Sequence, residues 1–168
     1  MTYFCPHCNT MHERWPALIF EAPDFYTQLS PEEKKSATLT LDLCVIPHGD
    51  QTDRFIRCVM HQKVNDHCQD LEYELWVSVS EKSFQDYVDH LGDPLYKTQY
   101  FGWLSNKLPE YDQFHWVKMH IAVDKVDRQR PKAFVQVVND PDLPLVRDYF
   151  QGISLEAAKA RIDKMTGN

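Results

Sequence analysis

Two alternating apolar runs joined by a short polar stretch constrain this chain more than any other feature. From Phe55 to Val64 and from Leu71 to Val79, apolar side chains recur with the period of two that a half-buried strand requires. Asn65, Asp66 and the polar residues after them leave no room for a crossover helix, so the two strands form a hairpin. Upstream, Leu39, Leu41, Leu43 and Val45 repeat the period, and Pro47-His48-Gly49-Asp50 breaks it. Downstream, Phe114–Val123 and Ala133–Val138 read as two further strands. Ser30-Pro31-Glu32-Glu33 opens a short helix: Ser30 caps it, Pro31 suits the first turn, and the glutamates favour its positive end. Ser80 opens a second helix, in which Phe84, Tyr87, Val88 and Leu91 share a face and Gly92 ends the run. Ser154 caps a final helix with Leu155, Ala158, Ile162 and Met165 as its stripe. The aromatic stretch Tyr100-Phe101-Gly102-Trp103-Leu104 reads as a loop. Clustered strands with short turns predict an α+β domain: an antiparallel sheet of about five strands with packed helices.

At 168 residues the chain suits a single domain over 1–168, with 1–22 a Pro-punctuated metal-binding lead-in and 23–168 the α+β body. The formal charge of −7 argues against nucleic acid or an anionic membrane as partner, so neither is expected. No apolar run is long enough to span a bilayer, and no export signal opens the chain, so a cytoplasmic location is expected. Five cysteines in such a chain point to thiol or metal chemistry rather than a disulfide framework.

Cys5-Pro6-His7-Cys8 has two chemical readings. A dithiol redox centre needs a strand leading into the motif and a helix starting at its first cysteine, whose N-terminus lowers the thiol pKa. Too little chain precedes Cys5 for that strand, and helical periodicity is lacking between Cys5 and Pro16. The metal reading fits: Cys5-x2-Cys8-x3-His12 brings two thiols and an imidazole within one short segment, the N-terminal zinc knuckle that we expect here. His12-Glu13 is not a zincin helix, because Pro stands where the second histidine belongs.

A structural zinc needs a fourth ligand. Cys44 shares a strand face with Thr40, Asp42 and Ile46, a more polar face than an ordinary buried cysteine would choose, so it is the expected fourth ligand. Cys58 alternates with Ile56 and Met60 and reads as core; His48, Cys68 and His7 are the alternatives. A second cluster of Cys58, His61, His67 and Cys68 reads instead as a solvated turn beside one core thiol.

Arg57, Trp76, Trp103 and Asn106 make a candidate binding cleft: a cation, two aromatic walls and an amide. The competing reading packs the tryptophans under helices and pairs Arg57 with Glu72 or Glu74. No nucleophile–base pair or phosphate-cradling glycine loop stands out, and no catalytic residue is assigned. Cysteine-rich ligation favours a non-enzymatic, zinc-stabilised module that binds a protein partner in a regulatory role. The alternative is a metal-dependent hydrolase with an open-position zinc held by the N-terminal Cys/His cluster. The sequence leaves the oligomeric state open.

The chain resembles the uncharacterised bacterial proteins grouped as domain of unknown function 2199. The resemblance runs nearly end to end. It rests on Cys5-x2-Cys8-x3-His12, Asp42-Leu43-Cys44-Val45-Ile46, Phe55-Ile56-Arg57 and Trp76-Val77-Ser78-Val79-Ser80. It continues through Tyr100-Phe101-Gly102-Trp103-Leu104-x-Asn106-x-Leu108-Pro109 and Gly152-Ile153-Ser154. It implies a cytoplasmic bacterial protein, supports Cys44 as metal partner and assigns no activity. Near Asn139-Asp140-Pro141 it leads one to expect a histidine, and this chain has none, which argues against a catalytic role there.

Overall fold

The computed structural model describes residues 2–5, 8–93, 95–111, 117–127, 130–138, 140 and 142–167. The chain opens with a hairpin, β1 (Thr2–Cys5) antiparallel to β2 (Thr10–Glu13), which forms a two-stranded sheet of its own. β3 (Leu18–Ile19) then joins the main sheet, and two short helices follow, α1 (Asp24–Thr27) and α2 (Pro31–Ser36). Helix α2 starts where its sequence directs. The Glu33 carboxylate accepts from Ser30 N at 2.8 Å, and Ser30 Oγ accepts from Glu33 N at 3.3 Å, a reciprocal capping box.

The strands β4 (Thr38–Leu39), β5 (Leu43–His48), β6 (Gln51–Gln62) and β7 (Leu71–Val79) pair antiparallel in succession. Helix α3 (Glu81–Asp89) begins on Ser80, whose hydroxyl accepts from Ser83 N. Then come β8 (Thr98–Leu104), β9 (Lys118–Asp127) and β10 (Arg130–Val137), and the helices α4 (Pro144–Gln151) and α5 (Leu155–Thr166) close the chain.

From β6 to β10 the chain meanders, each strand antiparallel to the next. The first and fifth strands of such a meander run the same way, so a sheet that closes on itself must close through a parallel pair. It does: β10 lies parallel to β6, with Phe134 opposite Val59, and the sheet becomes barrel-like. Alternate residues fill its core: Ile56, Cys58 and Met60 from β6, Tyr73, Leu75 and Val77 from β7, Tyr100 and Leu104 from β8. Met119, Ile121 and Val123 from β9 and Ala133, Val135 and Val137 from β10 complete it. Gly102 is the inward position of β8 that carries no side chain, because an added Cβ would lie 2.4 Å from the Ser78 carbonyl oxygen of β7.

The α+β class holds, but the main sheet has eight described strands rather than about five and is not purely antiparallel: β3–β7 and β10–β6 are parallel pairs. The strand expected from Leu39 to Val45 is broken. Thr40 and Leu43 bond to each other across a turn, so Leu39 ends β4 and Leu43 begins β5. Pro47 does not end β5; the strand runs on to His48, and Gly49 and Asp50 make the tight turn into β6. The stretch read as an aromatic loop is strand β8. The strand expected from Phe114 begins at Lys118 among the described residues, and 112–116 lie outside them. Helix α4, the strands of the lead-in and helix α1 carried no signal that the period reading used. Among the described residues, no helix is long and apolar enough to cross a membrane.

Candidate metal centre

Cys5 ends β1 and Cys8 lies in the turn to β2, where Asn9 adopts a left-handed φ of 54° and returns its N–H to Cys5 O at 2.9 Å. His12 sits opposite Tyr3 on β2, and Thr10 opposite Cys5. The hairpin therefore presents thiols and imidazole together, and Cys5 ends a strand rather than opening a helix, the context on which the redox reading is rejected.

A second segment meets the hairpin. The connection between β6 and β7 turns at Asp66, which has a positive φ, and His67 Nδ1 accepts from Gln69 N at 3.1 Å. His67 stacks on Trp15 at 4.5 Å between centroids and meets His12 edge-on at 5.2 Å. These aromatic contacts set Cys68 against the hairpin. The donor atoms of Cys5, Cys8, His12 and Cys68 all lie within 4.8 Å of one another. Cys5 is buried, while Cys8 and Cys68 are exposed.

Thr10 Oγ1 and His12 Nε2 each lie 2.9 Å from Cys8 Sγ. Hydrogen bonds from Thr10, His12 and Cys68 favour the Cys8 thiolate and bring its pKa down to about 5. The same bond to Cys8, with desolvation added, pushes Cys68 up to about 12. The two shifts run in opposite directions, so the hydrogen bonds favour loss of the proton from Cys8 over Cys68.

Cys44, the expected fourth member, is elsewhere. It is 0% exposed in a second core with Ile46, Phe55 and Trp76, which Phe20, Phe25, Tyr26 and Leu29 cover. Burial pushes its thiol up to about 12. Its face looked polar because Thr40 and Asp42 were counted on it, but both belong to the turn before β5. Cys58 is core, as read. His48 approaches Asp53 at 3.2 Å, and His61 lies 3.7 Å from Glu72. His7 lies outside the described residues, as do Asn139 and Pro141.

The cleft residues do not line an opening together. Trp76 is 0% exposed; its indole N–H donates to Phe20 O at 2.8 Å and its backbone N–H to Asn106 Oδ1 at 2.7 Å. Asn106, 1% exposed, donates to Ala22 O and Asp24 Oδ1. Arg57 is paired with Glu74 at 3.0 Å. Trp103 lies half-buried beside Phe101, with Lys118 over its ring. Two of the four are thus structural anchors, because the segment from Phe20 to Asp24 lies over them.

Cys68 is the member that sequence reasoning ranked too low. Its signal was a cysteine beside a histidine in a polar turn, where no apolar pattern explains a thiol.

A family model described as "Uncharacterized protein conserved in bacteria (DUF2199)" matches residues 4–153. No curated protein and no solved structure matches the chain.

Proposed function

The chain belongs to that family of uncharacterized proteins conserved in bacteria, and on this premise we propose that it is a zinc-stapled binding module rather than a catalyst. One observation carries the reading: the donor atoms of Cys5, Cys8, His12 and Cys68, from two separate segments, lie within 4.8 Å of one another. The edges of a tetrahedral zinc shell built from thiolates and imidazole measure roughly 3.5–3.8 Å, so ordinary side-chain adjustment is enough to close it. The donor set, three sulfurs and one ring nitrogen, suits zinc better than a hard cation. These four residues would hold the ion, which when bound supplies a cross-link between the hairpin and the β6–β7 connection.

Four protein donors fill a tetrahedral shell and leave no position for water, so the ligand count favours a structural role over hydrolysis. The outer side of the hairpin supports a binding role. Phe4 and Met11 stand opposite each other across the strands, 57% and 62% exposed, on the side away from the cysteines. A metal that fixes the hairpin also fixes the direction in which this apolar pair faces a protein partner.

Elemental analysis of protein purified without added metal should find about one zinc per chain. A folded, metal-free protein with reduced cysteines would remove the reading. Zinc that survives both Cys5→Ser and Cys68→Ser would do the same.

A further inference from the structure

The four donors of the cluster differ in how they are held. Cys5 lies in the β1–β2 ladder opposite Thr10 and is 5% exposed. His12 lies in the same ladder, opposite Tyr3. Cys8 and Cys68 are exposed, and each sits in a connection: Cys8 in the turn from β1 to β2, Cys68 in the bend from β6 to β7. Both lie outside the paired residues of their hairpins, so their sulfurs can shift without parting a ladder.

The Sγ atoms of these two residues are within 4.8 Å of each other and in hydrogen-bonding contact. Only a short approach separates them from bonding distance. Cys44 and Cys58 make the contrast, at 0% and 1% exposed in the two cores. Oxidation of a cysteine follows its exposure and its thiolate character, and a thiol that ligates zinc does so as thiolate.

We propose that Cys8 and Cys68 are a site of reversible oxidation by hydrogen peroxide, which closes them into a disulfide and empties the cluster of zinc. The bond itself needs only the two thiols; the loss of zinc rests on the zinc reading above. The Cys8 thiolate gives an electron pair to one peroxide oxygen. An S–O bond forms, the O–O bond breaks, and the departing hydroxide takes a proton to become water. The Cys68 thiolate then attacks the Cys8 sulfur. The S–S bond forms, the S–O bond breaks, and a second hydroxide leaves as water. Two thiolates, one peroxide and two protons thus yield one disulfide and two waters. Each sulfur gives up one electron, and the peroxide takes both. Cys5 and His12 are then the only thiolate and imidazole donors left, too few to hold zinc against water. The new bond joins the same two segments as the cluster, so the hairpin stays docked on the β6–β7 connection after zinc has gone.

The test treats the full chain, dilute and as purified, with hydrogen peroxide. Released zinc is read with a chromogenic chelator. Disulfides are located by mass spectrometry after free thiols are blocked in denaturant and the chain is digested without reduction. The expected result is a linked Cys8–Cys68 peptide and loss of about one zinc per chain. Cys44 and Cys58 should be recovered as thiols, and dithiothreitol should reopen the link. Hydrogen exchange should keep its protection over Thr2–Glu13, unlike after chelation. Cys5→Ser should still form the link. Cys68→Ser should stop at a sulfenic acid on Cys8, captured by dimedone, a readout independent of metal content. Protein that carries no zinc as purified and still forms the Cys8–Cys68 link would sustain the oxidation site and remove the metal reading alone. Cysteines that stay reduced, a link between any other pair or between two chains, or zinc that stays bound once the link has formed overturns the proposal.

Discussion

Cys44 and Cys68 carry the same side chain and end in opposite surroundings. Cys44 is sealed under aromatic side chains, where its thiol stays protonated; Cys68 stands in a turn that His67 and Trp15 hold against the hairpin. The spacing of Cys5, Cys8 and His12 was legible because a local motif needs only a local turn. The fourth donor was not, because it depends on which distant loop the hairpin docks against. Substitution should separate the two cysteines. Cys68→Ser is expected to lower zinc occupancy to well under half, read by elemental analysis. Cys44→Ala should keep its zinc and cost about 1 kcal/mol of packing, read by denaturant titration. A different residue contributes to the acid limb of stability. Tyr96 and Tyr100 both donate to Asp86 Oδ2, and these bonds hold its carboxyl below the usual carboxylate range. The folded pKa is therefore lower than the unfolded one. The contribution is fully present above the unfolded carboxylate pKa and is lost as pH falls through the folded value. Asp86→Asn should lower the melting temperature at neutral pH and flatten its fall in acid. A wild-type acid limb that the variant reproduces unchanged would refute this assignment.

At the scale of elements, the period-two runs of β6 and β7 were read correctly because one face of each is uniformly apolar. β8 was missed because its aromatic residues fall on both faces: Tyr100 points into the barrel, while Phe101 and Trp103 point away from it. The glycine between them, which suggested a loop, answers to a close approach of β7 instead. Gly102→Ala should therefore destabilise the fold by about 1–3 kcal/mol, since the new methyl meets Ser78 O and Val77 Cγ1 at 2.4 and 2.5 Å, and the backbone carbonyl cannot withdraw without parting the strands. Asn106 shows a similar dependence between elements. One amide joins the backbone of β7 to Ala22 and Asp24, so the segment from Ala22 to Asp24 is tied to the barrel by an almost fully buried side chain. Asn106→Ala would orphan the Trp76 N–H and the Ala22 carbonyl, and unfolding in urea should read a loss of about 2–4 kcal/mol. The split between β4 and β5 was hidden for a related reason. Thr40 and Asp42 fit a strand alternation by type, and only the hydrogen bonds between Thr40 and Leu43 reveal the turn.

At the scale of the molecule, two pieces of structure differ in how they are held. The barrel closes on itself, so each of its strands has a neighbour on both sides and its core does not depend on the hairpin. The hairpin of β1 and β2 shares no ladder with that sheet, and a two-stranded hairpin alone is marginal in water. Among the described residues, the Trp15–His67–His12 contact and the four-donor cluster bridge the two. A chelator should therefore act locally before it acts globally. Hydrogen exchange is expected to lose protection over Thr2–Glu13 and 63–70 on metal removal, while β7, β8 and β9 keep theirs. On the proposed zinc reading, global stability should follow mass action, since an ion held by four residues from two segments would bind the folded chain in preference to the unfolded one. Free zinc at about a hundred times its Kd adds about 2.7 kcal/mol, which for a chain of this size raises the melting temperature by roughly 5–10 °C. The increment should shrink in acid, where protons compete for the thiolates and the imidazole. Uniform loss of protection across barrel and hairpin on chelation would mean that the cluster is part of the folding core rather than a staple on its surface. An unchanged exchange pattern would mean that the aromatic contacts alone hold the hairpin in place.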